Sequence, residues 1–486
     1  MEATKLTPMI RQYLQIKERY RDAILFFRLG DFYEMFFEDA ERASKVLDIA
    51  LTSRSRIDDS AVPLCGVPYH AATPYIGKLL DAGYKVAICE QVEDPKTARG
   101  VVQREVVRVI TPGTVTEGEA LDASDNSFLV AVSRGKEGFG LALTDVTTGE
   151  FRFTQVADYA ALLDEIGRIR PREIIFAEGD EAFLEQLRSD FPNVHLSPVA
   201  VLCFSRSAAE RLKSLNLWTG EEDKEWQQGI LAAAAIVSFL EENLPEVLKV
   251  LSDLQPYSAS QYLILDETTR RNLELLSDFQ GVTKGSLLGI LDYTLTPMGA
   301  RKIRQWLLYP LLDEKLIRQR HDGVEELVEH YKGRQELKAV LKGVQDLERL
   351  AGRIVSGSAH ARDLVAVKES LRALGPLKEK LKDWRAEIFT SIREKLRDLP
   401  EVVELVERAV VDDPPPTLKE GRVIRPGYHA ELDEIRSMQK NAKEWIARFE
   451  SGERKRTGIN SLKVRYNRVF GYYIEVTKSN LKSVPP

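Results

Sequence analysis

The chain has 486 residues, which is too long for a single hydrophobic core and predicts about three domains. Hydrophobic residues make up 43% of it and charged residues 30%, a composition that excludes disordered and fibrous proteins. The most apolar run, near Ile230–Leu240, is shorter than the roughly 18 residues of a membrane-spanning helix, so no membrane association is expected. The formal net charge of −6 excludes a surface that is basic throughout.

The expected location follows from the first residues and from the cysteines. Residues Met1–Thr7 carry no basic and apolar leader, so export is not expected. Cys65, Cys89 and Cys203 are far apart and form no C-x-x-C pair. They are typical of reduced, buried thiols, and we expect a cytoplasmic protein.

Residues 1–115 predict a mixed α/β domain. Thr7 and Pro8 have the residue types of a helix N-cap and first turn. The next predicted elements are a strand at Ile24–Leu29, a helix from Gly30-Asp31 to about Lys45, a helix at about Ala71–Ala82, and strands at Lys85–Glu90 and Arg104–Ile110. Gly83 is suited to a left-handed helix cap, and the turn Thr111–Thr114 ends the domain.

Residues 125–245 predict a second α/β domain. Three short strands follow one another closely, at Phe128–Val132, Gly140–Val146 and Phe151–Val156. A helix near Tyr159–Ile169, a strand at Ile174–Ala177 and another helix complete a βββαβα order. Since that order is found in ribonuclease-H-like sheets, we expect a domain of this kind.

Residues 256–413 predict a long-helical domain, because charged and apolar residues alternate there at helical spacing. Such a pattern is typical of levers or bundles. The segment Asp412–Pro416 (DDPPP) is the clearest break in the chain. Residues 417–486 then predict a partial α+β domain with a helix at about Tyr428–Phe449 and strands at Leu462–Tyr466 and Tyr472–Thr477.

The segment Leu29–Phe36 (LGDFYEMF) is the most unusual local pattern. In one interpretation Asp31 caps a helix, Glu34 completes a capping-box-like pair, and the aromatic side chains fill the core. Four aromatic residues between positions 32 and 37 cannot all face inward in the first turns of a helix, so at least one is expected at the surface. An exposed phenylalanine such as Phe32 beside a carboxylate can act as an apolar wedge between base steps, with the acid reading the unstacked base. The residues alone leave both interpretations open.

A second local pattern is the charge of residues 451–482. This segment holds eight basic and two acidic side chains, a local net charge of +6 (8 − 2) in a chain of net charge −6. Aromatic residues are interleaved with them, namely Tyr466, Phe470, Tyr472 and Tyr473. The pattern favours a surface that contacts phosphates, and the alternative is a solvated hairpin that is basic without a ligand.

No catalytic or metal site is predicted. The sequence contains no G-x-x-x-x-G-K-[ST], and its two Gly-Lys pairs end at Lys78 and Lys136. The six histidines are scattered and form no metal-ligand spacing. A ribonuclease-H-like sheet raises a nuclease alternative with Asp145 and Glu150 as acids, but two carboxylates without a third are more typical of turn and cap residues.

Several collinear blocks resemble the MutS family of bacterial mismatch-repair proteins. The blocks are Thr7–Met9, Leu25–Phe36 (LFFRLGDFYEMF), Cys65–Ala71, Val86–Gln91, Val107–Thr114, Leu265–Leu275, Gly285–Pro310 and Arg454–Thr477. Together they cover essentially the whole chain. The resemblance implies a multidomain protein with a mixed α/β mismatch-binding domain, a ribonuclease-H-like connector, a long-helical core and lever, and a partial α+β clamp.

The resemblance also implies a function and its residues. It implies a homodimer that encircles double-stranded DNA with mismatches or small insertion/deletion loops and works with a MutL-type repair partner. The family's phenylalanine and glutamate fall on Phe32, the wedge, and Glu34, the base contact. The implied DNA-backbone contacts are Arg54, Lys78, Arg104 and Arg108 in the first domain and Lys463, Asn467 and Arg468 in the clamp. Such contacts position a protein on DNA without reading sequence.

The chain departs from the family pattern at its end. It stops at Pro486, inside the clamp, before the family's P-loop ATPase, so we expect no ATP or Mg²⁺ cofactor and no enzymatic activity from this chain. The alternative function is a helical protein-interaction scaffold whose DNA contacts are incidental. Mismatch-dependent retention of a duplex distinguishes the two.

Overall fold

The computed structural model describes residues 7–57, 60–93, 102–116, 121–136, 138–220, 226–467 and 471–484. Within these ranges, side chains are not described at 54–57, 60, 419 and 438–443. The chain divides into two compact units. One comprises residues 1–359 and 369–399, and the other comprises residues 360–368 and 400–486.

The first sheet of the first unit is built from six described strands. Its elements are α1 (Pro8–Arg19), β1 (Ala23–Leu29), β2 (Phe32–Phe36), α2 (Phe37–Leu47), β3 (Thr52–Ile57), β4 (Ser60–Pro68), α3 (Ala72–Asp81), β5 (Lys85–Gln91) and β6 (Arg104–Ile110). The strand order is β3-β4-β2-β1-β5-β6. Only β1 and β5 are parallel within this sheet, and the other neighbouring pairs are antiparallel.

Helices cover both faces of this sheet. Helix α1 lies on one face and buries Ile10 and Tyr13 in a cluster that includes Phe36. Helices α2 and α3 lie on the other face, in a cluster that includes Tyr33 and Met35. Because side chains alternate along a strand, β2 sends successive residues to opposite layers. The two layers explain why β1 is buried along its first five residues.

Several predictions for this region are confirmed. Thr7 caps α1 by accepting a hydrogen bond from the Ile10 backbone N–H at 3.3 Å. Gly83 follows α3 with a φ of 82°. Cys65 and Cys89 are buried free thiols, and burial raises the pKa of each to about 12, so both are uncharged at neutral pH. Cys203, which we predict to be buried, is only half-buried.

The helix predicted from Gly30-Asp31 is wrong in its first turns. Residues Phe32–Phe36 form the strand β2, and the helix α2 begins only at Phe37. Gly30 has a φ of 59°, and the two-residue turn that it opens places Leu29 opposite Phe32 in an antiparallel hairpin. The capping-box interpretation of Asp31 and Glu34 is therefore wrong, because β2 has no helix N-terminus to cap.

The second sheet of the first unit also has six described strands. Its elements are β7 (Phe128–Gly135), β8 (Gly138–Asp145), β9 (Glu150–Val156), α4 (Tyr159–Ile169), β10 (Glu173–Ala177), α5 (Glu181–Asp190), β11 (His195–Val199), α6 (Arg206–Ser214), α7 (Gln227–Asn243) and β12 (Gln255–Pro256). The strand order is β11-β10-β7-β8-β9-β12. Strands β7, β8 and β9 are antiparallel to one another in turn, whereas β10 is parallel to β7 and to β11.

Helix α7 is the buried helix that the apolar run predicts. Its residues Ala232–Val237 are completely buried against β7, β8 and β9. Glycine permits this close packing, because a Cβ at Gly140 of β8 would lie 2.0 Å from the carbonyl carbon of Gln228. Any side chain at Gly140 would therefore push α7 away from the sheet.

The helical region of the chain follows β12. Its helices are α8 (Glu267–Asn272), α9 (Leu287–Leu291), α10 (Pro297–Leu308), α11 (Glu314–Glu329), α12 (Tyr331–Leu341), α13 (Leu347–Val355), α14 (Ala361–Lys380) and α15 (Glu387–Lys395). Most of them are short, and several begin at Ser, Thr or Asp caps, such as Ser286, Thr296 and Asp313. The helical character is as predicted, but α14 alone among these reaches 20 residues.

The second unit contains the first turns of α14, then α16 (Pro400–Ala409), α17 (Ala430–Thr457), β13 (Lys463–Asn467) and β14 (Gly471–Glu475). Its small core includes Ala361, Val406 and Val410. Helix α17 runs 28 residues, eight beyond the predicted end at Phe449, and stops at Gly458 in the left-handed conformation. In the part of the chain that the structure describes, no helix is both long enough and apolar enough to cross a membrane.

Candidate nucleic-acid interface

Phe32 stands at the end of the β1–β2 hairpin. It opens β2, pairs with Leu29 of β1 and Pro68 of β4, and its residue surface is 45% exposed. The next four residues of β2 are all buried. Phe32 lies on the sheet face that α1 covers, because it alternates with Tyr33 and shares a face with Phe36. A large apolar side chain is thus presented to solvent on a strand that is paired on both sides.

Glu34 lies two residues after Phe32 and on the same face of the sheet. It is only 6% exposed. The position opposite it on β4 is Gly66, where a Cβ would lie 3.1 Å from the Tyr33 carbonyl oxygen and 3.4 Å from the Glu34 Cγ. The glycine therefore leaves the space along which the glutamate side chain extends.

Arg104 lies on the same face as Phe32 but is buried. Its side chain is 6% exposed, and its guanidinium lies over the Phe27 ring at 4.9 Å. The guanidinium donates to the Arg28 carbonyl oxygen at 2.7 Å, the Gln12 Oε1 at 3.1 Å and the Val102 carbonyl oxygen at 2.9 Å. Burial lowers the pKa of Arg104. Its donors serve the domain itself, so this geometry does not favour a phosphate contact.

The other predicted contacts of the first domain lie elsewhere. Lys78 is exposed on α3, and Arg108 is half-buried on the sheet face that α3 covers. Both are therefore on the opposite side of the sheet from Phe32. The backbone of Arg54 belongs to β3, but its side chain lies outside the described part of the structure.

Sequence reasoning missed Arg28, which lies beside the hairpin turn. Its guanidinium Nε donates to the Gly30 carbonyl oxygen at 2.6 Å, and its Cζ lies 3.5 Å from the centre of the Tyr69 ring. It also forms an ion pair with Glu90 at 3.6 Å. The sequence contained a signal for this role. Arg28 lies between Phe27 and Leu29 in an apolar strand, just before Gly30, and a charged residue in an apolar strand usually has a partner.

The second candidate surface is the β13–β14 hairpin of the second unit. Lys463, Arg465 and Asn467 alternate along β13 and so share one face. The other face carries the rings of Tyr466 and Tyr472, which are tilted by 60° to each other with their centroids 5.1 Å apart. These residues are 63% and 64% exposed. One face of the hairpin is thus mainly polar, with Tyr473 opposite Arg465, and the other face is aromatic and apolar.

Acidic residues neutralise part of the basic charge of this unit. Glu450 pairs with Arg454, Glu453 with Arg456 at 2.8 Å, and Glu475 with Arg465 at 2.8 Å. The net charge of +6 for residues 451–482 does not include Glu450, because this residue precedes the segment. Glu450 also accepts a hydrogen bond from the Val464 backbone at 2.9 Å, which ties β13 to α17.

Lys463 is an exposed cation of the hairpin, and Glu475 lies opposite it in the β13–β14 register. Among the residues that the structure describes, Lys463 makes no ion pair, and its position in β13 is exposed. Asn467 is also exposed and pairs with Gly471 at the end of the described ribbon. Arg468, the third predicted contact, lies outside the described residues.

The acids of the nuclease alternative have other roles. Asp145 is completely buried and accepts hydrogen bonds from Asn126, from the Ser127 backbone and from both the backbone and the hydroxyl of Thr147. Glu150 forms an ion pair with Arg152 at 2.7 Å. Within the described ranges, no group of three or more His, Cys, Asp or Glu residues is placed to hold a metal ion. The geometry therefore gives the nuclease alternative no support.

Comparison with known proteins places these surfaces in a family. Family models match residues 7–119 (MutS domain I), 127–254 (MutS domain II) and 268–462 (MutS domain III). The chain is 46% identical over 501 aligned residues to the DNA mismatch repair protein MutS of Symbiobacterium thermophilum. It is 45% identical over 490 residues to the protein of the same name from Halothermothrix orenii. The chain belongs to the MutS family.

Of the two surfaces, one lies inside a family-model match and the other begins where a match ends. Phe32 and Glu34 lie within the match to MutS domain I. The match to MutS domain III ends at residue 462, immediately before Lys463 opens the hairpin. The alignments cover all or nearly all of this chain but only 57% and 54% of the two relatives, so the chain spans about half of their length.

Proposed function

We propose that this chain recognises mismatched double-stranded DNA, including small insertion/deletion loops, as part of DNA mismatch repair. The observation that carries the proposal is Phe32, a large apolar side chain that is 45% exposed at the end of a rigid hairpin inside the match to MutS domain I. An exposed apolar residue beside a carboxylate is the combination that inserts into duplex DNA and contacts a displaced base.

The physical basis of discrimination is the deformability of the mispair. A mispair stacks and pairs poorly, so opening it and kinking the duplex costs less than the same distortion at a Watson–Crick step. The ring of Phe32 then replaces lost stacking, and one base–aromatic stack is worth about 1–3 kcal/mol. Preference for mismatches therefore arises from DNA mechanics and needs no base code.

Glu34 would make the polar contact at the opened step. Because Glu34 lies on the same sheet face as Phe32, a base that stacks on the ring approaches the carboxylate from one side. The glutamate is 6% exposed, so a base must reach it through the space beside the Phe32 ring. Its partner is either a base N–H that donates to the ionised carboxylate or a purine nitrogen that accepts its proton.

Backbone contacts would hold the duplex without reading sequence. We propose Lys463 as the principal contact of the clamp, because it is exposed and makes no ion pair among the described residues. Asn467 and Arg468 extend this contact along the ribbon, and Lys78 and Arg108 remain predicted contacts of the first domain together with Arg54. Arg104 also stays a prediction, although its burial favours a role inside the domain.

We further propose the family's domain plan for this chain. It comprises a mismatch-binding domain (1–115), a connector (125–245), a core and lever (256–413) and a clamp (417–486). The βββαβα order of the second sheet supports a ribonuclease-H-like connector. Homodimerisation, a MutL-type partner and the use of ATP and Mg²⁺ are proposals for the longer relatives' whole architecture, of which this chain spans about half.

Competition binding tests the proposed function. A labelled G·T duplex bound to the chain should be displaced far less well by an unlabelled G·C duplex than by an unlabelled G·T duplex of the same flanking sequence. Equal displacement would favour the scaffold alternative, in which DNA contact is incidental. Metal-dependent cutting of either duplex would instead return the nuclease alternative, which the occupied Asp145 carboxylate argues against.

A further inference from the structure

We propose that Arg28 and Arg104 are positioning residues that fix the hairpin turn from opposite faces of the sheet and so set the orientation of Phe32. The inference rests on the proposed function, because it assigns a role in mismatch discrimination to two residues that contact no base. The turn itself consists of Gly30 and Asp31, between the paired residues Leu29 and Phe32.

Arg28 holds the turn from the face that α2 and α3 cover. It pairs across the hairpin with Tyr33, whose side chain belongs to the cluster of that face. Its Nε donates to the Gly30 carbonyl oxygen at 2.6 Å. Its planar guanidinium lies on the Tyr69 ring at 3.5 Å, and Glu90 balances its charge at 3.6 Å.

The partners of Arg28 are themselves fixed. The Tyr69 backbone N–H donates to the Asp31 carbonyl oxygen at 3.0 Å, so the ring that supports Arg28 also holds the second residue of the turn. The Tyr33 hydroxyl donates to the Glu90 carboxylate. Burial and the neighbouring carboxylate raise the pKa of Tyr33, so this hydroxyl keeps its proton at neutral pH.

Arg104 holds the same strand end from the face that α1 covers. Its Nε donates to the Arg28 carbonyl oxygen at 2.7 Å, and its guanidinium lies over the Phe27 ring. Gln12 of α1 accepts a further hydrogen bond at 3.1 Å, which links the strand end to the helix. Three carbonyl groups in and beside the turn, those of Arg28, Gly30 and Asp31, thus have defined donors.

A wedge requires this kind of support. An aromatic ring replaces base stacking only when it enters the opened step at the correct angle, and a hairpin end without fixed carbonyls would lose that angle to rotation. A strand end that is already rigid also loses less conformational entropy on binding. Arginine suits the role because its fork combines a directed Nε donor with a flat surface that stacks on a ring, whereas lysine offers neither.

Arg28→Lys is the direct test, and Arg21→Lys is its matched control. Lysine keeps a positive charge near Glu90 but removes the Gly30 hydrogen bond and the stacking on Tyr69. Arg21 is 76% exposed, pairs only with Glu18 in the described structure at 3.0 Å, and lies in the same domain. Competition binding of G·T and G·C duplexes is measured for the whole chain with each variant, together with thermal unfolding.

Arg28→Lys should lower the G·T over G·C preference on the order of fivefold, the lower end of what one base–aromatic stack contributes. Affinity for the matched duplex should stay unchanged, because no backbone contact is lost, and Arg21→Lys should behave as wild type. A folded Arg28→Lys protein with the wild-type preference would overturn the inference, as would an equal loss of affinity for both duplexes.

Two further variants keep the test decisive. If Arg28→Lys does not fold, Tyr69→Leu removes the supporting ring and leaves the arginine, and it should lower the preference in the same direction. An unchanged preference in folded Tyr69→Leu would then overturn the inference. Phe32→Ala separates the inference from the proposed function. If Phe32→Ala abolishes the preference for G·T and Arg28→Lys leaves the preference unchanged, only the inference fails. If the wild-type chain shows no preference for G·T, both the inference and the proposed function fail.

Discussion

Phe32 and Glu34 are two residues apart on β2 and face the same side of the sheet, yet Phe32 is 45% exposed and Glu34 only 6%. Both residues are paired on both sides, Phe32 with Leu29 and Pro68 and Glu34 with Phe27 and Gly66, but Phe32 is the first residue of β2 at the hairpin end and Glu34 is in the middle of the strand. An apolar side chain is therefore at the surface and a carboxylate is within the sheet, which reverses the usual distribution. It is the arrangement that the proposed wedge and base contact require.

Replacement of Glu34 by glutamine should reduce mismatch discrimination, measured on protein that thermal unfolding shows to be folded. Glutamine keeps the length that fits beside Gly66 but removes the charge and one acceptor. We expect the G·T over G·C preference to fall roughly tenfold, the value of one charged hydrogen bond of about 1.5 kcal/mol. The control is Glu38→Gln, since Glu38 is an exposed acid of α2 that pairs with Arg42. Unaltered discrimination in Glu34→Gln would exclude the base contact.

Replacement of Lys463 by alanine should weaken matched and mismatched duplexes equally. An exposed lysine on the polar face of the hairpin releases counterions from DNA phosphates, so the slope of log affinity against log salt should decrease by roughly one. Arg456→Ala is the control, because Glu453 already neutralises Arg456 at 2.8 Å. A Lys463→Ala slope equal to that of wild type would mean that the hairpin is a solvated surface.

Replacement of Asp346 by asparagine should destabilise the first unit at neutral pH and much less in acid. Burial raises the pKa of Asp346, but two hydrogen bonds from Arg301 at 2.8 Å outweigh it and hold the pKa below its usual range. A lowered pKa means that the ion pair stabilises the fold above the unfolded-state pKa and is lost as pH falls through the folded-state pKa.

The expected loss in that variant is about 2 kcal/mol at pH 7, the usual value for a charged hydrogen bond. Asparagine still caps α13, so the helix start itself is retained. Melting temperatures of wild type and Asp346→Asn should begin to converge below about pH 4, the ordinary range of a carboxyl group, and should meet only below the lowered folded-state pKa. Asp398→Asn removes an exposed pair with Lys378 and should have little effect at either pH. A difference in melting temperature between wild type and Asp346→Asn that persists in acid would contradict a stabilising role for the ionised Asp346 carboxylate.

ATP should neither bind to this chain nor change its affinity for DNA. Cradling phosphates in the P-loop manner requires a glycine-rich loop that ends in Gly-Lys-Ser/Thr, and the two Gly-Lys pairs here continue with Leu79 and Glu137. Coupling between nucleotide binding and DNA binding needs a site for each ligand, and the sequence provides motifs for the DNA site alone. Isothermal titration with ATP and Mg²⁺ checks this. A saturable heat of ATP binding that is also measured for Lys78→Ala would reveal a nucleotide site without this motif and would contradict the prediction.

The sequence predicts most elements of the first unit, but it predicts a helix in place of β2, the second strand of the hairpin that carries Phe32. Asp31 followed three residues later by Glu34 has the spacing of a helix capping box, and this local pattern predicted a helix where the chain forms β2. The stronger signal was Gly30-Asp31 between two apolar runs, which is typical of a two-residue hairpin turn. The prediction of an exposed aromatic residue is confirmed, although on a strand and not on a helix.

Contacts between distant segments were beyond sequence reasoning. Strands β3 and β4 escape prediction because Arg54 and Arg56 interrupt one, and two prolines and Gly66 interrupt the other, so neither has a clear apolar alternation. Arg104 reads as a phosphate contact because its partners, Gln12 and the Arg28 carbonyl group, lie more than 70 residues away. Burial of a charge by such partners is visible only in the folded chain.

Phe32→Ala tests the central claim most directly, with thermal unfolding and G·T against G·C competition measured on the same preparation. Because Phe32 is 45% exposed, the change should destabilise the chain by about 1 kcal/mol or less, compared with ~3–5 kcal/mol for a buried phenylalanine. The preference for G·T should disappear, while Phe279→Ala, which removes a 74% exposed phenylalanine of the helical region, should keep it. A large fall in melting temperature with intact discrimination would contradict the wedge and make Phe32 a structural residue.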